Sequence, residues 1–163
     1  MKRLAMMRHA KSSWDDRQLD DFNRPLNDRG WKAAWRMGRE MSARGMQFDL
    51  VLASAAARVR ETIDGVQRHY DFGAAPIRFE PRLYGASEAI LLEIVRALSE
   101  SVRAPLLVGH NPGLERLIAE LTGGIRKFPT AALAVVELPE KLWAEVEPGA
   151  GEIVELILPK ELD

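Results

Sequence analysis

Short, nearly continuous apolar runs alternate along this chain with longer stretches whose apolar residues recur every three to four positions. Lys2–Met7 is such a run, and it ends at Arg8-His9. Leu50–Ala53, Ile77–Phe79 and Pro105–Gly109 are others, short enough to be buried strands. Between them, Asp28–Arg44 places Trp31, Ala34, Trp35, Gly38 and Met41 at i, i+3, i+4 and i+7 spacing, which predicts a helix with both tryptophans in the core. Asn27 can cap that helix, Asp28 suits its positive end and Gly45 stops it. A second helix is expected over Ala56–Tyr70 and a third over Glu88–Leu98, with Ile90, Leu91, Ile94, Val95 and Leu98 on one face. A fourth begins at Pro112, well placed in a first turn, and runs to Leu121. Ala131–Leu138, Trp143–Val146 and Ile153–Leu158 read as strands separated by Pro/Gly turns. The alternation predicts an α/β fold in a single domain over residues 1–163. It consists of a mainly parallel sheet flanked by helices on both faces, with antiparallel edge strands at the C-terminal end.

One stretch breaks the pattern. Ala10–Asn27 is polar, shows no period and carries Asp15, Asp16, Asp20 and Asp21. Loops of that length inside a compact domain are commonly functional. The four aspartates lack the glycine turn and closing glutamate of a calcium loop, so no metal is assigned.

Composition narrows the chemistry. Apolar residues make up 47% and charged residues 29% of the 163, which is the balance of a globular chain. Cysteine is absent, excluding disulfide scaffolds, cysteine-zinc sites and every thiolate nucleophile. A net charge of -1 argues against a nucleic-acid partner. The opening segment is interrupted by Arg8 and Lys11 before it could form a signal peptide, and no apolar run approaches a membrane span. No membrane partner and a cytoplasmic location are therefore expected. The charge is uneven, with a surplus of +5 over residues 1–70 and a deficit of -6 over the rest. That asymmetry fits a local anion site.

Candidate site residues cluster at strand ends. His9 and His110, 101 residues apart, each follow a predicted buried strand, and open α/β sheets bind ligands at that edge. Arg8 precedes His9, Arg24 sits just ahead of a helix, and Arg58 lies near another helix start. Guanidinium forks match phosphate oxygens two at a time, and helix N-termini add backbone donors. His69, at a helix end beside Arg68, reads as a surface residue.

Arg8-His9-Ala10 after a strand resembles the Arg-His-Gly signature of the histidine phosphatase (phosphoglycerate mutase-like) superfamily. Ser54-Ala55-Ala56-Ala57-Arg58, with Thr62 four residues on, resembles its second motif, and Val108-Gly109-His110-Asn111 its late histidine motif. The short length, the opening through Lys11-Ser12-Ser13-Trp14 and Arg24-Pro25-Leu26 are most similar to the SixA-type phosphohistidine phosphatases. The resemblance implies a nucleophilic His9 carrying the phosphoryl group. Arg8, Arg58 and Arg24 would bind its oxygens, His110 would donate to them, and Ser54 and Asn111 would support the pocket. His9 must attack as neutral imidazole, its other nitrogen donating to a backbone carbonyl. Asp21, three residues before Arg24, is expected to be a loop or ion-pair residue, with orienting Arg24 or acting as a weak acid as the alternative.

One departure has chemical weight. Many superfamily members carry Arg-Leu-x-Glu, whose glutamate protonates an alcohol leaving group. Here Arg82-Leu83-Tyr84 is followed by Gly85, and Glu80 and Glu88 are out of register. Alkoxide leaves poorly without a proton donor, whereas a P–N bond is labile. The expected activity is therefore metal-independent, cofactor-free hydrolysis of phosphohistidine on a protein, or of a related small phosphoramidate. A broad small-molecule phosphomonoesterase or mutase, a non-catalytic phosphate-binding adaptor and, more weakly, a zinc enzyme are the alternatives. The sequence leaves the oligomeric state open.

Overall fold

The computed structural model describes residues 1–124 and 126–162. Six strands, β1 (Lys2–Arg8), β2 (Leu50–Ala53), β3 (Ile77–Phe79), β4 (Pro105–Gly109), β5 (Leu133–Leu138) and β6 (Glu152–Ile157), form one sheet in the order β3-β2-β4-β1-β5-β6. The pairings from β3 through β2 and β4 to β1 are parallel, and those of β1 with β5 and β5 with β6 are antiparallel. Four helices, α1 (Asp28–Ala43), α2 (Ala57–Val66), α3 (Glu88–Arg96) and α4 (Gly113–Thr122), complete the expected α/β architecture.

The central strands are apolar throughout because both faces are covered. Side chains alternate across a strand, so Ala5 and Met7 of β1 face one way, with Leu106 and Val108 of β4, into a core shared with α1 and α2. Leu4 and Met6 face the other way with Leu107, into a core shared with α3 and α4. Asn27 caps α1, its side chain accepting from the Gly30 N–H at 2.8 Å. Gly45, at φ 62°, ends the helix in a conformation that favours glycine.

Three expectations need correction. Trp143–Val146 is not a strand; Trp143–Glu145 is a 3₁₀ turn. Trp143 and Val146 are three residues apart and both buried, a spacing that one helical turn satisfies and a strand does not. The Trp143 indole is fully buried and donates to the Val102 carbonyl at 2.8 Å. The helix expected to reach Tyr70 closes at Val66, where the backbone loosens into turns that carry the Tyr70 hydroxyl to the Met46 carbonyl at 2.5 Å. The tryptophans of α1 are only half-buried. Trp31 packs against the core, whereas Trp35 lies under the Arg68 guanidinium at 4.3 Å.

Helices α1 and α2 meet with almost no side chain between them at Gly38. A Cβ there would lie 2.2 Å from the Val66 carbonyl oxygen. Helix propensity alone would make Gly38→Ala stabilising by about 1 kcal/mol. The backbone contact reverses the sign, and we expect a loss of about 1–3 kcal/mol in urea unfolding. A variant more stable than the parent would show that the two helices do not pack this closely.

Candidate active site

Strand register assembles the site. In the parallel β1–β4 pair Arg8 lies opposite Gly109, so the next residues of each strand, His9 and His110, emerge side by side. Their ring centroids are 5.2 Å apart, and they are 8% and 9% exposed. On the other side of β4, Ala53 of β2 lies opposite Val108. Ser54 thereby reaches His110, its buried Oγ 2.8 Å from Nε2, which leaves Nδ1 as the nitrogen of His110 available to a ligand.

His9 Nδ1 lies 2.6 Å from the Ala10 carbonyl oxygen. A carbonyl only accepts, so Nδ1 carries the proton and Nε2 keeps its lone pair in the neutral ring. Burial, above all, holds the His9 pKa down at about 4; the Arg58, Arg8 and Arg24 charges add to this, and the Ala10 carbonyl works against it. His110 is lowered to about 3, first by burial and then by His9, Arg58 and Arg8, with Asp21 opposing.

The turn after β1 is held from two sides. The Ala10 N–H donates to Thr62 Oγ1 at 2.9 Å, and the same hydroxyl donates to the Arg58 carbonyl at 2.6 Å. On the α1 side the Asn27 N–H donates to the Lys11 carbonyl at 3.0 Å. Gly30 lies so close that a Cβ would come within 2.1 Å of that same carbonyl oxygen.

Arg8, Arg24 and Arg58 line one cavity of about 630 Å³ with His9, His110 and Asp21. Arg58 donates from NH1 to the Asp21 carbonyl at 2.6 Å and from NH2 to Asp21 Oδ2 at 3.0 Å. Arg24 donates to Asp21 Oδ1 at 3.2 Å, to Ser12 Oγ at 2.8 Å and to the Ser13 carbonyl at 3.1 Å, which ties the 10–27 segment to itself. Arg8 donates to the Phe128 carbonyl at 3.3 Å. The Nε atoms of Arg8 and Arg58 are buried without a hydrogen-bond partner among the described residues. Such orphans cost roughly 1–3 kcal/mol each unless an acceptor arrives. In a wall this cationic, the fitting acceptor is an oxyanion.

Asp21 pairs with Arg24 and Arg58 and lines the cavity. Its carboxylate accepts from the Tyr84 hydroxyl, Arg58 and Arg24, which together hold its pKa at about 2. Asn111 supports the site indirectly: its side chain donates to the Phe128 carbonyl at 2.8 Å, the oxygen that Arg8 also uses. Lys11 lines the cavity and is exposed. His69 is exposed, its Nε2 accepting from Arg39 at 3.2 Å. Glu80 is turned back onto the Arg82 N–H at 3.0 Å and Glu88 begins α3, whereas Gly85 borders the cavity. No group of three His, Asp or Glu side chains that could hold a metal ion occurs among the described residues. No helix among them is long and apolar enough to cross a membrane.

Sequence reasoning missed Trp14 and Tyr84, which also line the cavity. Trp14 belongs to a polar segment without period, where one aromatic gives no positional signal, and Tyr84 stands between Leu83 and Gly85 with nothing in the local pattern to set it at a cavity.

Two neutral histidines make stability acid-sensitive. Between pH 6.5 and about 4 the unfolded chain binds protons that folded His9 refuses, and His110 extends the window to about 3. Stability therefore rises with pH across this range. From pH 7 to 5 we expect the unfolding free energy to fall by about 2–4 kcal/mol. The slope should be flatter in the His9→Gln/His110→Gln variant. Imidazole ¹⁵N shifts should report both rings neutral at pH 5.5; a protonated His9 at that pH would contradict the burial argument.

Comparison with known proteins agrees with this geometry. A solved SixA structure from Agrobacterium tumefaciens superposes with a TM-score of 0.79 at 28% identity, covering 97% of this chain and 98% of that one. A protein histidine phosphatase SixA complexed with tungstate gives a TM-score of 0.82 at 25% identity, covering 97% of each chain. An uncharacterized Mycobacterium tuberculosis protein is 34% identical over 167 residues, spanning 94% of this chain and all of its own. The family model of the histidine phosphatase superfamily (branch 1) matches residues 4–87, the segment that contributes Arg8, His9, Arg24 and Arg58. The chain thus belongs to the histidine phosphatase superfamily, and its fold is that of the SixA proteins.

Proposed function

We propose that the protein is a phosphatase in which His9 takes the phosphoryl group from phosphohistidine, on a partner protein or as a small phosphoramidate, without a metal or cofactor. The observation that carries this reading is the His9 ring itself: neutral, fixed through Nδ1, with Nε2 unprotonated beside three guanidinium groups.

The chemistry follows in two displacements. The Nε2 lone pair of His9 attacks phosphorus, and the bond from phosphorus to the substrate nitrogen breaks. The departing imidazole takes its proton from solvent. Arg8, Arg58 and His110 Nδ1 hold the equatorial oxygens, and Arg24 adds positive field once the phosphoryl group competes with Asp21. Water then attacks phosphorus and gives a proton to solvent, the bond from phosphorus to His9 Nε2 breaks with its electron pair returning to the ring, and orthophosphate leaves. The Ala10 carbonyl keeps the ring in one tautomer throughout, and Ser54 orients His110. A site with fixed cations spends nothing on reorganisation as charge spreads over the oxygens. The tungstate held by the structurally similar SixA protein is an oxyanion of the kind this pocket fits.

Substrate choice follows from Gly85. With no carboxylic acid beside the leaving group, the general-acid contribution of about 10²–10⁴ is missing for alkyl esters. We expect kcat/KM on phosphohistidine to exceed that on an alkyl phosphate by at least about a hundredfold. Comparable rates on the two would favour the broad monoesterase reading.

The direct test is trapping. Mass spectrometry of the acid-sensitive intermediate at neutral pH should place a single phosphoryl group on His9, and His9→Ala should neither trap nor turn over. Arg58→Met should still fold and should lose roughly a hundredfold or more in rate. Tight phosphate binding with no phosphorylated His9 would identify an adaptor instead.

A further inference from the structure

We propose that Trp14 and Tyr84 form an aromatic cleft that receives the planar ring bonded to the phosphoryl group, so that the enzyme selects ring-bearing leaving groups over ring-less ones with the same scissile bond. The inference rests on the phosphatase reading above and names the residues that choose its substrate.

Both rings border the cavity that holds His9, and both are left open to solvent, Trp14 at 72% and Tyr84 at 37%. Neither is loose. The Arg24 guanidinium lies against Trp14, 3.5 Å from the ring centroid. Tyr84 is held at three points. Its hydroxyl donates to Asp21 Oδ2 at 2.5 Å, and its ring meets Phe22 edge-on at 5.1 Å and His110 edge-on at 5.4 Å. Asp21 and Arg24 are themselves paired at 3.2 Å. A continuous chain therefore runs from Tyr84 through Asp21 and Arg24 to Trp14, and it sets the two aromatics on either side of an ion pair. A ring held before the ligand arrives, as Tyr84 is, loses little freedom on binding it.

The space fits as well. A cavity of about 630 Å³ has the volume of roughly twenty liquid water molecules, far more than a phosphoryl group fills. Gly85, next to Tyr84, borders the same cavity and adds no side chain to it; its φ of 68° is a conformation that favours glycine. The Trp14 indole already carries a cation on one face, so the rest of its surface suits a neutral π system better than a second charge. Neutral imidazole, the leaving ring of phosphohistidine, has that character, as does an aryl group. Arg24 also couples the two halves of the substrate, since the guanidinium beside the phosphoryl position is the one that fixes Trp14.

The test uses substrate pairs that share a scissile bond: phosphohistidine against phosphoramidate for P–N, and p-nitrophenyl phosphate against acetyl phosphate for P–O. The quantity read is the ratio of kcat/KM within each pair. Trp14→Ala and Tyr84→Leu should each lower the ring-bearing to ring-less ratio about three- to tenfold. Tyr84→Phe keeps the ring and loses only the tether to Asp21, so it should retain the ratio. Inhibition by orthophosphate reports whether the oxyanion pocket is intact in each variant. Unchanged ratios in an enzyme that still phosphorylates His9 would overturn the cleft and leave the phosphatase reading standing. A ratio lost equally in Tyr84→Phe would move the effect from the ring to Asp21 and also overturn it. Absence of phosphorylated His9 in the parent protein would sink both.

Discussion

The pairing of β1 with β4 is the constraint on which the site depends. Arg8 opposite Gly109 is one register among several that would bury equally apolar strands, but it alone brings His9 level with His110. A slip of one residue would turn one histidine into a helix-packed core and remove it from the cavity. The pattern of burial enforces the register, because Leu4 and Met6 fit one core while Ala5 and Met7 fit the other. The site is thus specified by side chains far from it, through the ordinary energetics of filling two layers on either side of a sheet.

The electrostatics follow from that placement. Burial alone makes both imidazoles poor proton acceptors, and the guanidinium groups add to the effect. A cationic pocket and neutral histidines are therefore one arrangement, each half stabilising the other. Asp21 balances the arrangement while the pocket holds no anion. It gives Arg58 and Arg24 a partner, yet its half-exposed carboxylate sits where an incoming phosphoryl group can compete for both. The Nε atoms of Arg8 and Arg58 remain buried without a hydrogen-bond partner among the described residues.

Much of this was legible in the sequence because the determinants are local. Continuous apolar runs mark strands covered on both faces, and a histidine just beyond such a run must lie at the sheet edge. The Asn27 cap and the Gly45 stop were readable for the same reason. Where the reading failed, the controlling interaction was long-range. Trp143 looks like a strand residue until its indole is seen to anchor on the Val102 carbonyl under α3. Trp14 and Tyr84 lie 70 positions apart, and only the fold of the 10–27 segment sets them at one cavity. Asp21 was readable as an ion-pair partner of Arg24 by spacing. Its second partner, Arg58, was not, because 37 residues separate them.

A single hydroxyl joins two walls of this pocket. Thr62 grips the peptide after His9 with one lone pair and the carbonyl of Arg58 with its proton. The backbone just after β1 and the first turn of α2 are thereby joined through one side chain, so the spacing between the His9 and Arg58 backbones is set by two short hydrogen bonds rather than by the packing of the helix as a whole.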